Sequence, residues 1–135
     1  MNTMRPQENL HYAIGLMAYA IARADGAVQK EERQKFFDLV HAELKREHYD
    51  FDIASIIFQV MDKDQSSLED TYHWAINQIK VNSHYLSPSL KTTFIRVMEK
   101  VAKAYPPVTV EESSLLDRFK KDIEPLHGDP VYYSK

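Results

Sequence analysis

One apolar pattern occurs twice in this sequence, eighty residues apart, and it limits the fold to paired helices. In each copy the apolar residues recur at steps of four, three and four, which places them on one face of a helix. The matched pairs are Leu10 and Leu90, Ile14 and Phe94, Met17 and Val97, and Ile21 and Val101. The correspondence continues between 28–39 and 108–119. We therefore expect two pseudo-symmetric helix-turn-helix motifs in one fold.

Helical spacing runs through most of the chain and predicts an all-α fold of about six helices in a single domain, 1–135. Glycine occurs only three times and no Gly/Ser-rich linker divides the chain, which is why one domain is expected. The first predicted helix ends at Asp25-Gly26, and the others cover about 30–47, 52–61, 66–82, 87–104 and 109–124. The tail, 126–135, has no periodicity and is predicted to be irregular. The residues expected to face the core from the third helix are Ile53, Ile56, Ile57 and Val60.

Start signals set the limits of the later helices. Ser66 and Glu69 fit a capping box, in which the serine accepts from a first-turn amide and the glutamate reaches back. Thr109 and Glu112 fit a second one. Ser87-Pro88 combines a favoured capping residue with a proline at the first helical position.

Composition excludes several classes of function. Seventeen basic and twenty acidic residues give a net charge of -3, which argues against binding to nucleic acid. The absence of cysteine excludes disulfides, thiolate metal sites and cysteine nucleophiles. The uncharged stretch His11–Ala22 is too short to cross a membrane, and the N-terminus lacks the pattern of a signal peptide. These features predict a soluble, cytoplasmic protein, and the lack of a catalytic motif predicts that it is not an enzyme.

One tight turn carries residues suited to a hard cation. Asp25 lies where the first helix ends, and a carboxylate there is mildly unfavourable because the helix dipole is already negative. Glu31 and Glu32 follow in the first turn of the next helix, where negative charge is favourable. Three carboxylates near one turn suit Ca²⁺ or Mg²⁺, which prefer oxygen ligands. The alternative is an ordinary Asp-Gly turn followed by a negatively charged helix start.

The string A-D-G-A-V-Q-K-E-E-R, at 24–33, resembles the signature of the TerB-like family, which comprises tellurite-resistance TerB proteins and the related N-terminal domain of DjlA co-chaperones. The resemblance implies an all-helical fold with two motif copies and an acidic site for a divalent cation, Ca²⁺ or Mg²⁺. The second copy has Tyr105-Pro106 where the family motif has Asp-Gly. The implied ligands are Asp25 and Glu32 from the first copy and Glu112 from the second, with Glu31 and Glu111 as the nearest substitutes.

Two functions are open, one implied by the resemblance and one by the departure of the second copy from it. The first is a non-enzymatic stress-response or interaction domain with a protein partner and a cation-binding turn, linked to tellurite resistance or to membrane-associated complexes. The second is a structural adaptor that has lost the metal and binds partners through an apolar or aromatic face. Trp74, Tyr85 and the pair Tyr132-Tyr133 would mark that face if they are exposed. The spacing of the six histidines does not indicate a zinc site.

Overall fold

The computed structural model describes residues 5–24, 52–103 and 109–133, together with positions 31, 34, 35, 37, 38 and 42. The predicted all-α fold is confirmed, since these residues contain helices and turns and no strand. The α-helices described over their full length are α1 Pro6–Arg23, α2 Asp52–Asp64, α3 Leu68–Val81, α4 Pro88–Lys103, α5 Val110–Ile123 and α6 Pro130–Tyr133. A 3-10 helix, Ser83–Tyr85, joins α3 to α4. The isolated positions between 31 and 42 are helical as well, within the predicted second helix.

The first helix, α1, forms the centre of the fold. Apart from Tyr12, every residue from Leu10 to Ala22 is buried. The helix packs chiefly against α2 and α3 and also contacts α4 and α5. A helix that is apolar on all sides is stable only when neighbours surround it, and the four neighbouring helices do so here. No helix among the described residues is both long and apolar enough to cross a membrane.

A close approach between α1 and α2 occurs at Gly15. A Cβ atom at this position would lie 2.5 Å from the carbonyl oxygen of Ala54 and 2.9 Å from the Cβ of Ile57. The helices can therefore come this close only because position 15 has no side chain. Beside this contact Phe58 is fully buried, with its ring edge-on to that of Tyr19 at a centroid distance of 5.9 Å.

The inward face of α2 matches the predicted one only in part, since Ile57 packs against the core. Ile56 and Val60 were expected in the core, but they are 56% and 42% exposed. The buried residues are instead Ala54, Phe58 and Met61, which also recur at steps of four and three. The helix thus has two apolar stripes. The close approach at Gly15 admits the small Ala54, which decides which stripe faces α1.

Of the three predicted start signals, two are confirmed and one is wrong by a residue. The side chain of Ser87 accepts from the backbone N–H of Leu90 at 3.1 Å, and α4 begins at Pro88. The capping box of Thr109 with Glu112 also forms, at the start of α5. At α3 the capping residue is Ser67 rather than Ser66, because it is the Ser67 hydroxyl that accepts from the N–H of Asp70, at 3.2 Å.

Both members of the four repeat pairs from 10–21 and 90–101 are buried. The two stripes therefore have the same role in the core, as expected from their spacing. The remaining correspondence includes positions 28, 36, 39 and 108, which lie outside the described residues. The pseudo-symmetry of two complete motifs stays a prediction.

The tail is more ordered than predicted. The backbone N–H of Gly128 donates to the carbonyl of Leu86 at 2.9 Å, and that of Asp129 donates to the carbonyl of His84 at 3.1 Å. The short helix α6 follows. The prediction of an irregular tail is therefore wrong for 130–133, because contacts with a distant segment rather than local periodicity order this helix.

Candidate functional site

The C-terminal end of α1, where the first motif begins, is held by hydrogen bonds to the turn between α2 and α3. The Tyr19 hydroxyl donates to the carbonyl of Ser66 at 2.9 Å. Arg23 Nη1 donates to the Tyr19 oxygen at 2.9 Å and to Gln65 Oε1 at 3.2 Å. Burial raises the pKa of the Tyr19 hydroxyl, which keeps it protonated as the donor. These contacts fix where the chain leaves α1 at Ala24.

The structure describes three of the five predicted cation ligands. Asp25 and Glu32 lie outside the described residues. Glu31 and Glu111 are exposed, whereas Glu112 is buried with 2% of its surface accessible. The described residues contain no group of three acidic or histidine side chains that could hold a metal ion.

Glu112 has a clear structural role at the start of α5. Its Oε1 atom accepts from the backbone N–H of Thr109 at 3.1 Å and from the Thr109 hydroxyl at 3.2 Å. In return, the Glu112 N–H donates to the Thr109 hydroxyl at 3.1 Å. A buried carboxylate is favoured here because it neutralises first-turn donors at the positive end of the helix dipole. A cation at Glu112 would have to share this oxygen with the capping box.

A cavity of about 210 Å³, which we call the charged cavity, brings the two motif copies close together. Ala24, the residue before Asp25, lies on one wall, and Glu111 of the second copy lies on another. Its lining residues are Ala24, Leu68, Glu111, Ser114, Leu115 and Arg118. The end of α1 and the first turns of α5 therefore border the same space.

Arg118 on the wall of the charged cavity belongs to a network that joins α3 to α5. Its Nη1 atom donates to Glu69 Oε1 at 2.9 Å, and its guanidinium lies 4.0 Å from the ring centroid of Tyr72. The hydrogen bond from Arg118 lowers the pKa of the Glu69 carboxyl, which His73 also contacts at 3.3 Å. The Tyr72 hydroxyl donates to Asp122 Oδ2 at 2.6 Å, and burial followed by this contact raises its pKa. Glu69, predicted as the partner of Ser66 in a capping box, thus pairs with Arg118 instead.

A second cavity, of about 330 Å³, lies at the other end of α1, and we call it the aromatic cavity. Its lining residues are Gln7, His11, Tyr85, Ser87, Leu90, Tyr132 and Tyr133. Three of the four aromatic positions noted in the sequence thus meet at one place. Trp74 does not join them, and its ring packs instead on that of Tyr12 at 5.4 Å. The sequence marked the aromatic residues but contained no signal for their convergence with Gln7 and His11.

A comparison with protein-family models, curated proteins and solved structures finds no match to this chain. The resemblance to the TerB-like family therefore stays a prediction from the sequence motif.

Proposed function

We propose that this chain is a non-enzymatic TerB-like interaction domain in which the charged cavity and its adjoining turn bind a divalent cation, Ca²⁺ or Mg²⁺. The observation that supports it is the approach of Ala24 to Glu111 across the charged cavity, which brings the start of the first motif close to the second. Asp25 is the next residue in the chain after Ala24. On this proposal, Asp25 and Glu111 face one ion, while Glu112 serves mainly to cap α5.

The charge balance of the charged cavity predicts weak binding. The positive charge of Arg118, on the wall of this cavity, repels a bound cation. Glu69 offsets much of that charge, because its Oε1 atom lies 2.9 Å from Arg118 Nη1. Sites with few carboxylates bind Ca²⁺ with dissociation constants on the order of 10⁻⁴ to 10⁻³ M. We expect affinity in this range, and a stress-response context such as tellurite resistance belongs to the same proposal.

Titration calorimetry of the full chain with Ca²⁺, Mg²⁺ and Mn²⁺ tests this function. We expect saturable heats for the natural sequence and a loss of at least tenfold in affinity for Asp25→Asn, since removing one charged oxygen ligand weakens a hard-cation site. Asp117→Asn is the matched control, because Asp117 is an exposed carboxylate of α5 that does not line the charged cavity. Null heats for both the natural protein and Asp25→Asn would remove the cation from the proposal.

A second candidate function is an adaptor that binds a protein through the outer stripe of α2. Ile56 and Val60 lie one turn apart on this helix and are 56% and 42% exposed. An apolar stripe in this position costs solubility unless another surface covers it for part of the time. The stripe therefore favours association, with or without a cation.

Sedimentation at increasing concentration tests the adaptor function, because an apolar face open to a partner is also open to a second copy. We expect the average mass of the natural chain to rise with concentration and that of an Ile56→Ser, Val60→Ser variant to stay monomeric. A Val81→Ser, Val110→Ser variant is the control, since these exposed valines lie on two other helices. A monodisperse natural monomer at all concentrations would contradict this candidate.

A further inference from the structure

We propose that the aromatic cavity binds a small, uncharged, planar heterocycle with adjacent hydrogen-bond donors and acceptors on its edge. The cavity lies at the N-terminal end of α1, away from the acidic motif, so this site does not depend on cation binding. Its volume of about 330 Å³ is at the lower end of the range for small-molecule pockets. One ring system fits such a space, and a dinucleotide does not.

The walls of the aromatic cavity come from three separate parts of the chain. Gln7 and His11 lie in the first turns of α1, where the Glu8 carboxylate accepts from the N–H of Arg5 at 2.8 Å and caps the helix. Tyr85, Ser87 and Leu90 come from the 3-10 helix and the start of α4. The third wall is α6. A pocket built from three anchored segments is largely formed before a ligand arrives.

The α6 wall is held by a backbone clamp at Gly128. The N–H of Gly128 donates to the carbonyl of Leu86 at 2.9 Å. A Cβ atom at Gly128 would lie 2.8 Å from the carbonyl oxygens of His84 and Leu86. These are backbone atoms that cannot swing away, so only glycine permits this docking. The position of α6 therefore depends on one residue outside the cavity lining.

Aromatic rings give the cavity a rigid apolar surface. The rings of Tyr85 and Tyr132 are 5.4 Å apart and inclined by 53°. His84 packs edge-on against both rings, with centroid distances of 4.9 Å to each, and restricts their orientation. Two tyrosine faces set at an angle favour stacking of a flat ring over binding of a flexible aliphatic chain. Tyr133 extends the same wall.

Polar groups line the rest of the aromatic cavity and indicate what the ring carries. Gln7 contributes an amide that both donates and accepts, and His11, only 6% exposed, contributes an imidazole. The Ser87 oxygen accepts from the N–H of Leu90 at 3.1 Å, which leaves its hydroxyl proton to donate. Such a mixed set of donors and acceptors matches the edge of a nucleobase or an aromatic amide.

The lining also disfavours anionic ligands and favours a neutral ring over a simple cation. None of the seven side chains is a lysine, arginine, aspartate or glutamate. An anion in this cavity would lose hydration without gaining a side chain of opposite charge. A cation would be attracted only to the tyrosine faces, and tetramethylammonium has no hydrogen-bonding edge to pair with Gln7 or Ser87. The ligand class is therefore neutral, in contrast to the proposed occupant of the charged cavity.

Nuclear magnetic resonance titration of the full chain tests the site, with adenine and nicotinamide as probes. We expect amide shifts confined to 7–11, 84–90 and 128–133 with either probe. Tetramethylammonium, inorganic phosphate and cyclohexanol serve as comparisons that carry a positive charge, a negative charge or a non-planar ring. Those three should shift the same amides much less at equal concentration.

Two variants connect the shifts to the aromatic cavity. Gly128→Ala should displace α6 and weaken probe binding at least tenfold, with an unchanged circular dichroism spectrum showing that the helices remain folded. Gln7→Leu leaves α6 in place and should weaken binding by about two- to tenfold, the range of one hydrogen bond. Gln59→Leu is its matched control, because Gln59 is an exposed glutamine of α2 that does not line the aromatic cavity.

Three results would overturn the assignment. The first is the absence of shifts with both probes, and the second is equal shifts with a charged or non-planar comparison compound. The third is undiminished affinity in either Gly128→Ala or Gln7→Leu. Weaker binding in both variants, together with unchanged binding in Gln59→Leu, supports the aromatic cavity as the site.

Discussion

The two cavities lie at opposite ends of α1 and differ in how their residues are assembled. The charged cavity, at the C-terminal end, has Arg118 and Glu111 on its walls and adjoins a sequence motif. The aromatic cavity, at the N-terminal end, has no such charged side chain, and its walls come from residues up to 126 positions apart, from Gln7 to Tyr133. A local motif can thus point to the first site, whereas only the folded chain reveals the second.

The largest expected effect comes from disturbing the packing of α1, the helix that joins the two ends. In Gly15→Ala the new Cβ would lie 2.5 Å from the Ala54 carbonyl, so α1 and α2 must separate. Overpacking of this kind costs about 1–3 kcal/mol, which exceeds the gain of up to about 1 kcal/mol from replacing glycine in a helix. We expect chemical denaturation to show a lower free energy of unfolding, with both cavities disturbed.

Gly128→Ala is the matched substitution at one end only. Its Cβ also meets backbone atoms, but the affected segment is the short tail helix. We expect hydrogen exchange at Gly128 and Asp129 to accelerate while global unfolding changes less than in Gly15→Ala. Equal losses of stability in the two glycine variants would mean that the tail unfolds together with the core. The aromatic cavity could then not open independently of the rest of the fold.

The next-largest expected effect concerns only the C-terminal end of α1. Tyr19→Phe removes a hydroxyl that donates to Ser66 and accepts from Arg23. Losing these contacts in a part-buried setting should cost about 1–2 kcal/mol in thermal or chemical unfolding. Tyr12→Phe, on the same helix, is the control and should change stability by a few tenths of a kcal/mol at most. Equal losses for both variants would show that the Tyr19 hydrogen bonds do not anchor the end of α1.

The sequence predicted where the helices lie better than which side of each helix is buried. Leu10, Ile14 and Ile21 recur at helical spacing and are buried as expected, because the core needs a continuous stripe. On α2 the same reasoning chose Ile56, since spacing alone cannot rank two apolar stripes on one helix. The choice between the stripes depends on a residue of another helix. Because Gly15 of α1 has no side chain, the stripe that contains Ala54 can pack against α1.

Local signals likewise located two capping residues correctly and misplaced a third by one position. Thr109 and Glu112 pair as the sequence predicts, because both residues of this capping box lie within the first turn of α5. Glu69 is hydrogen-bonded to Arg118, 49 positions away, and α3 is capped by Ser67, one residue after the predicted Ser66. For the cation site, the motif identified Glu111 and Glu112 but could not predict that the first is exposed and the second buried. Asp25 and Glu32 lie outside the described residues.

The smallest expected effect comes from the ion pair of Glu69 with Arg118, which lies at the charged cavity and has no counterpart in the lining of the aromatic cavity. Glu69 is exposed, and its hydrogen bond from Arg118 holds its pKa below the ordinary value of 4.5. Because the folded pKa is the lower one, the unfolded chain takes up this proton more readily as pH falls. The stabilisation is therefore present above pH 4.5 and is lost as pH falls through the folded pKa. Salt should weaken it as well, since the pair is exposed to solvent.

Thermal unfolding of the natural chain and of Glu69→Gln between pH 7 and pH 3 measures this difference. The natural chain should unfold at a slightly higher temperature at pH 7, and the gap should close at low pH or high salt. Glu111→Gln is the control, because it removes a carboxylate from the charged cavity and leaves the Arg118 pair intact. Binding of a neutral probe at the aromatic cavity should be insensitive to Glu69→Gln and to salt. A salt dependence there would mean that the charges at one end of α1 act on the other, and the two cavities could no longer be treated as independent.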